Sequence, residues 1–94
     1  MWNNIDSKLI TEVFSLLWES NKLNIFVMLI EKELCICEII EKLNMKQNMV
    51  SHHVGILKRA WILNSRKDGT KVFYSINQEK YMEIKENTKL LFNI

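Results

Sequence analysis

Residues that break helices are almost absent from this sequence. Its 94 residues contain no proline and only two glycines, Gly55 and Gly69. Because proline and glycine are the strongest helix breakers, such a chain should be mainly helical. The exception is Asp68-Gly69, which separates two runs of β-type residues, and an Asp-Gly pair in that setting is a strong hairpin signal. The sequence therefore predicts a mainly α fold with one small β-hairpin.

Apolar periodicity predicts the order of the elements. Helical spacing indicates a first helix at residues 6–18, capped by Asp6 or Ser7, and a second helix that Ser20 or Asn21 caps and that reaches residue 30. Three more helices are indicated at residues 35–43, 47–60 and 78–92. Two-residue alternation indicates strands at 62–67 and 71–76. The third and fourth helices flank a tight turn that begins at Asn44, which is the arrangement of a helix-turn-helix, and the hairpin would be its wing. We expect a winged helix-turn-helix with the order α-α-α-α-β-β-α, in a single domain spanning 1–94.

No segment predicts secretion or a membrane. The start of the chain carries Asp6 and lacks a basic region leading into a long apolar run. The longest apolar run, residues 25–30, is far below the ~20 residues needed to span a bilayer. The two cysteines, Cys35 and Cys37, fit free thiols or thiolate ligands better than a disulfide, because a bond between such near neighbours would close a small, strained ring. We expect a cytoplasmic protein without membrane contact.

Charge is distributed unevenly along the chain. The formal net charge is +2, but the six basic residues and one acid between residues 45 and 75 give that segment +5, and the rest carries −3. A basic segment on an acidic body is typical of a nucleic-acid-binding protein. A solvated charged face would look similar.

Three motifs resemble one known family. They are Glu-Leu-Cys-Ile-Cys-Glu at 33–38, Val-Ser-His-His-Val at 50–54, and Arg-Lys-Asp-Gly at 66–69 followed by Val-Phe-Tyr at 72–74. Together they resemble the ArsR/SmtB family of bacterial winged-helix repressors, and the Cys-x-Cys string resembles its arsenic-responsive branch. The resemblance implies a transcriptional repressor that is released from DNA by arsenite, antimonite or a similar ion.

The fourth helix and the wing supply the candidate DNA contacts. A recognition helix presents its first turns to base edges in the major groove. The outward candidates there are Gln47, Asn48, Ser51 and His52. The candidate phosphate contacts are Lys46, Lys58 and Arg59 on this helix, and Arg66, Lys67 and Lys71 in the wing. The alternative for Gln47 and Asn48 is that their side chains only cap the helix.

The two thiols are the candidate metal ligands. As(III), Sb(III) and other soft ions prefer thiolates. Cys35 and Cys37 fall about 200° apart on an ideal helix, so we expect both to reach one ion only if the start of that helix unwinds. Such unwinding would move the recognition helix and lower DNA affinity. The alternatives are that the cysteines are small buried residues or sense oxidation. No permanent cofactor is expected.

Several positions depart from the family pattern or limit the chemistry. Trp61 stands at the usual glycine after the recognition helix, and since tryptophan does not easily adopt a positive φ, we expect that helix to end differently. Ile40 stands where the best-known arsenic sensors carry a third cysteine. The resemblance implies that His53 is a packed, hydrogen-bonded scaffold residue. No acid orients a Ser51–His53 pair, so we expect no enzyme activity. The last helix has no histidine, which argues against a zinc site there.

The terminal helices predict a homodimer. They carry apolar side chains that a monomer of this size could not all bury, namely Trp2, Ile5, Tyr81, Leu91, Phe92 and Ile94. The resemblance also implies pairing through the first and last helices. A two-fold dimer would read double-stranded operator DNA with an imperfect palindrome. The alternatives are an ordinary apolar core, and a protein-interaction module that has lost DNA binding.

Overall fold

The computed structural model describes residues 5–92. Its elements are α1 (Ser7–Leu17), α2 (Ser20–Glu31), β1 (Leu34–Cys35), α3 (Ile36–Leu43), α4 (Gln47–Arg59), β2 (Leu63–Asp68), β3 (Lys71–Ile76) and α5 (Gln78–Phe92). The mainly α winged helix-turn-helix is therefore confirmed, and α1, α3, α4, β2, β3 and α5 agree with the predicted bounds to within one residue. The prediction did not include β1. In the structure Cys35 lies in this strand and not in the helix that follows it.

Side chains close to the chain fix the helix starts. The Asp6 carboxylate accepts the Leu9 N–H at 3.0 Å and caps α1, as expected. The cap of α2 is Glu19, whose Oε2 accepts the Asn21 N–H at 2.8 Å. The expectation that Ser20 or Asn21 caps α2 is thus wrong, because Ser20 is already the first residue of the helix. Within residues 5–92 no single helix is long and apolar enough to cross a membrane, although α1 and α2 pass on length and composition as a pair bent by 105°.

Two left-handed residues end the helices of the helix-turn-helix. Asn44 ends α3 at φ 52°, with hydrogen bonds from Asn44 N–H to Glu41 O and from Met45 N–H to Ile40 O. Trp61 ends α4 in the same way at φ 63°, and the Ile62 N–H reaches back to Leu57 O at 3.0 Å. Both ends follow the Schellman pattern of backbone bonds. The expectation that Trp61 would force another ending is wrong, because Trp61 itself adopts the positive φ.

A three-stranded antiparallel sheet carries the wing. Its strand order is β1-β3-β2, with Leu34 opposite Tyr74 and Cys35 opposite Phe73. β2 and β3 pair from Leu63 opposite Ile76 to the hairpin turn, where Gly69 has φ 65°. The predicted Asp-Gly turn is confirmed, since glycine tolerates this conformation best. The wing is thereby joined to the segment that holds the cysteines.

Two apolar clusters hold the elements together. The larger joins α2, α3, α4 and the sheet through Ile25, Phe26, Leu29, Leu34, Ile39, Val50, Val54, Leu57, Ile62, Leu63 and Ile76. The smaller joins α1 to α5 through Leu9, Val13 and Ile84. The buried face of α4 therefore fixes the recognition helix in the fold, and its opposite face is exposed.

Candidate nucleic-acid interface and cysteine site

The recognition helix presents a polar face to solvent. Val50, His53, Val54 and Leu57 are buried along one side of α4. The four predicted base-contact residues are all exposed, namely Gln47, Asn48, Ser51 and His52. In the described part of the chain no side chain caps α4, so the alternative role of Gln47 and Asn48 as caps is not observed. No side chain of residues 5–92 accepts from the N–H groups at this N-cap, and such free N–H groups suit a phosphate oxygen.

The predicted phosphate contacts fall into separate groups. Lys46 precedes the first turn of α4, beside the base-contact residues. Lys58 and Arg59 occupy its last turn, about 16 Å further along at 1.5 Å per residue, so the fold does not bring them next to the first turn. In the wing, Lys67 and Lys71 are exposed, and no ion pair found within residues 5–92 involves either of them.

Arg66 differs from the other wing cations because it is already paired. Its Nη2 and Nε donate to the two carboxylate oxygens of Glu33 at 2.6 and 2.9 Å. Its guanidinium carbon lies 4.6 Å from the centre of the Phe73 ring. The hydrogen bonds with Arg66 lower the pKa of Glu33, and the same bonds raise the pKa of Arg66. Sequence reasoning missed Glu33, because a partner 33 residues away leaves no local signal. It also missed Phe73, whose position opposite Arg66 follows from the register of the hairpin.

The cysteines converge at the start of α3. Cys35 is extended (φ −66°, ψ 147°) and its Sγ accepts the Cys37 N–H at 3.4 Å. The Glu38 carboxylate accepts the Cys35 N–H at 3.0 Å, which completes a capping box. The Cys35 and Cys37 Cα atoms lie 5.2 Å apart, and the two sulfur atoms form a disulfide. Cys35 is buried and Cys37 is exposed.

This geometry corrects two expectations about the thiols. Cys35 precedes the first helical residue, so the two side chains do not start 200° apart and the sulfur atoms meet without any unwinding of α3. The sulfur atoms are also paired rather than separate. Within residues 5–92 no group of three or more His, Cys, Asp or Glu side chains is arranged to hold a metal ion. A third ligand would have to come from elsewhere.

His53 lies in the core below the recognition face. It is 6% exposed, as expected of a scaffold residue. The expectation that it is hydrogen-bonded is wrong for the described part of the chain, where neither ring nitrogen has a partner and Glu19 Oε1 lies 3.8 Å from Nδ1. The neighbouring His52 is exposed, and the centre of its ring lies 5.6 Å from the centre of the His53 ring.

A helix-turn-helix with an exposed polar face, followed by a basic hairpin, defines a winged-helix DNA-binding protein. The family model described as "Bacterial regulatory protein, arsR family" matches residues 19–65, which is half of the chain. The chain belongs to this family of bacterial regulatory proteins. It is a DNA-binding transcriptional repressor and not an enzyme.

Individual relatives agree with this assignment. The chain is 39% identical over 78% of its length to an HTH-type transcriptional regulator of Methanocaldococcus jannaschii, covering 83% of that protein. It is 33% identical over 88% of its length to the cadmium resistance regulatory protein CadC of Listeria innocua, covering 71% of that protein. Among solved structures, HlyU of Vibrio cholerae matches with a TM-score of 0.75 and 26% identity, over 97% of this chain and 99% of that one.

Proposed function

We propose that this repressor leaves its operator when As(III), Sb(III) or another thiophilic ion binds Cys35 and Cys37. The observation that carries the proposal is the convergence of the two sulfur atoms at the start of the first helix of the helix-turn-helix. Soft ions prefer thiolates, and the exposed Cys37 gives an ion access to the buried Cys35. In support, similar proteins include CadC and an arsenical resistance operon repressor of Staphylococcus aureus, which is 30% identical over 89% of this chain.

The response runs through the cap of α3. An ion on Cys35 Sγ competes with the Cys37 N–H for the sulfur and weakens the first turn of α3. Because α3 packs against α4, a change in its first turn alters the position of the recognition helix. By linkage, DNA-bound protein then binds the ion more weakly by the same factor. Once a cellular thiol reductant has supplied two electrons to the Cys35–Cys37 disulfide, the two cysteines provide two thiolates, and a small cellular thiol completes the coordination of a trivalent ion.

Arsenite titration tests this proposal. We would follow the fluorescence anisotropy of a labelled duplex, taken from the DNA upstream of the coding sequence, with the fully reduced protein bound. Release in the micromolar range, lost in Cys37→Ser and in Cys35→Ser, supports the sensor. Serine keeps an N-cap acceptor at residue 35, so that variant should still bind DNA. A wild-type complex that arsenite and other soft ions leave intact overturns the proposal. If peroxide then releases the DNA and a thiol reductant reverses it, the cysteines sense oxidation.

The proposed repressor acts in the cytoplasm as a homodimer that pairs through its first and last helices. Exposed apolar side chains on α1, α2 and α5 and directly after α1 support this, namely Phe14, Trp18, Leu23, Val27, Ile30, Met82, Leu90 and Phe92. Among the residues expected to be exposed, Phe92 is so, Ile5, Tyr81 and Leu91 are half-buried, and Trp2 and Ile94 lie outside the described residues. One solved relative in fold, Mb0332 of Mycobacterium bovis, is described as homodimeric.

Sedimentation at micromolar concentration tests the dimer. Met82 on α5 is 52% exposed and Met49 on α4 is 44% exposed, so Met82→Glu and Met49→Glu are matched variants. Met82→Glu should sediment as a monomer, because it buries a charge in the proposed interface, whereas Met49→Glu should stay dimeric. A wild-type protein that sediments only as an 11.2 kDa species contradicts the proposal.

A further inference from the structure

Among the contacts within residues 5–92, the Arg66 guanidinium donates hydrogen bonds through one of its two edges. Glu33 accepts from Nε and from Nη2, which form the side edge of the group. Three N–H donors remain, and two of them, one on Nη1 and one on Nη2, form the other edge. The nearest other carboxylate, Asp68, lies 3.9 Å from Nη1 and is beyond hydrogen-bonding distance. A phosphate can be bound bidentately by that second edge while Glu33 stays in place.

The surroundings of this ion pair restrict how Arg66 can move. The Phe73 ring lies under the guanidinium at 4.6 Å, and Phe73 is the register partner of both Arg66 and Cys35. Glu33 directly precedes β1, which is hydrogen-bonded to β3. The carboxylate, the ring and the guanidinium are therefore carried by three adjacent strands or their ends. Side chains that are ordered before binding lose less conformational entropy when they bind.

We propose that Glu33 is a positioning residue for DNA binding, which holds the side edge of Arg66 on the Phe73 ring so that the other edge meets a DNA phosphate. The inference rests on the proposed contact between Arg66 and DNA. It assigns a function in DNA binding to an acidic residue that simple electrostatics would count as repulsive. Glu33 acts through Arg66 and contacts no nucleotide itself.

The direction in which Glu33→Gln changes operator affinity distinguishes this inference from simple electrostatic repulsion. Removing an acid near DNA ordinarily tightens binding, because repulsion of the phosphates is lost. Glu33→Gln should instead weaken operator binding about fivefold, since the neutral amide cannot hold the guanidinium edge as a carboxylate does. Asp68→Asn is the matched control: it removes a wing acid that makes no hydrogen bond to Arg66, and it should leave affinity unchanged or slightly tighter.

A double-mutant cycle tests whether Glu33 acts through Arg66. Anisotropy titrations of reduced protein with the upstream duplex would give Kd for Glu33→Gln, Arg66→Ala and the double variant. Arg66→Ala should weaken binding at least about fivefold, and adding Glu33→Gln to it should change Kd by less than about twofold. Arg66→Lys is a second variant: it keeps the charge but has no second edge, and Glu33→Gln should not weaken it further.

Three results would overturn the inference. They are equal or tighter binding by Glu33→Gln, no effect of Arg66→Ala, and additive losses in the double variant. Both residues of the pair are partly exposed, with side chains 34% and 53% accessible, so each variant should fold, and urea unfolding would verify this. The titrations contain no arsenite, so they test the function of Glu33 independently of the proposed ion response.

Discussion

Glu19 Oε1 lies 3.8 Å from Nδ1 of His53, and this approach joins the start of α2 to the buried face of the recognition helix. The other Glu19 oxygen caps α2 through the Asn21 N–H. Burial lowers the pKa of His53, and the nearby charges of Lys22 and His52 lower it further, while Glu19 opposes them. The core therefore favours a neutral imidazole directly below the DNA-binding face.

Stability should fall as the pH drops below about 6.5. In that range the unfolded chain binds a proton at His53 more readily than the folded protein, and the loss ends once the pH passes the lowered pKa of the folded state. The lowered pKa values of Glu19 and Glu33 act in the same direction, but below their ordinary value of 4.5. Urea unfolding of reduced protein at pH 7.5 and at pH 5.5 measures the effect.

Adjacent histidines provide the control for this pH dependence. His53→Gln should flatten the change in unfolding free energy between the two pH values, whatever its effect on absolute stability. His52→Gln removes an exposed imidazole one residue away and should keep most of the change. If the unfolding free energy changes equally between the two pH values in wild type and in His53→Gln, the buried imidazole does not cause the pH dependence.

Features that depend on neighbours in the chain could be predicted from the sequence. Asp6 as a cap, Asn44 as a helix end and Asp68-Gly69 as a turn each act within a few residues, so local composition carries the signal. The exposure of Gln47 and Ser51 followed from helical spacing alone. The family could likewise be recognised from short motifs.

Features that depend on distant contacts could not be predicted in this way. Cys35 continues a helical pattern in the sequence, but pairing with Phe73 draws it into a strand. The Glu33–Arg66 pair forms only when the wing folds back beside β1. The positive φ of Trp61 could not be predicted from residue type. The backbone hydrogen bonds that end α4 and the burial of Ile62 outweigh the strain of that conformation.

Replacing Trp61 with glycine should stabilise the protein. A non-glycine residue in the left-handed region costs about 1–2 kcal/mol, and glycine offsets part of that gain through its larger unfolded-state entropy. Trp61 is 69% exposed, so little burial is lost. We expect Trp61→Gly to raise the free energy of unfolding by roughly 0.5–1 kcal/mol in urea titrations. Trp61→Ala removes the same ring but keeps the strain, and an equal gain in that variant would contradict the explanation.

Serine and alanine at residue 35 should differ in stability. The Cys35 sulfur caps α3 by accepting the Cys37 N–H, and a serine hydroxyl can take over that role, whereas alanine cannot. Under reducing conditions we expect Cys35→Ala to lose about 1 kcal/mol relative to Cys35→Ser. Urea unfolding of both variants measures the difference. If alanine is as stable as serine, the cap contributes nothing and the proposed response through α3 loses its first step.

Two substitutions should separate base recognition from phosphate binding. Gln47 is exposed on the first turn of α4 and Lys67 is exposed in the wing. Loss of a base contact costs about 1–3 kcal/mol on the operator alone, so Gln47→Ala should weaken operator binding and leave affinity for unrelated duplex unchanged. Lys67→Ala should weaken both and reduce the slope of log K against log salt by about 1. Anisotropy titrations of both duplexes at several salt concentrations give these values. If Gln47→Ala weakens both duplexes equally, Gln47 contacts the backbone, and if salt has no effect on wild type, the basic segment does not bind DNA through phosphates.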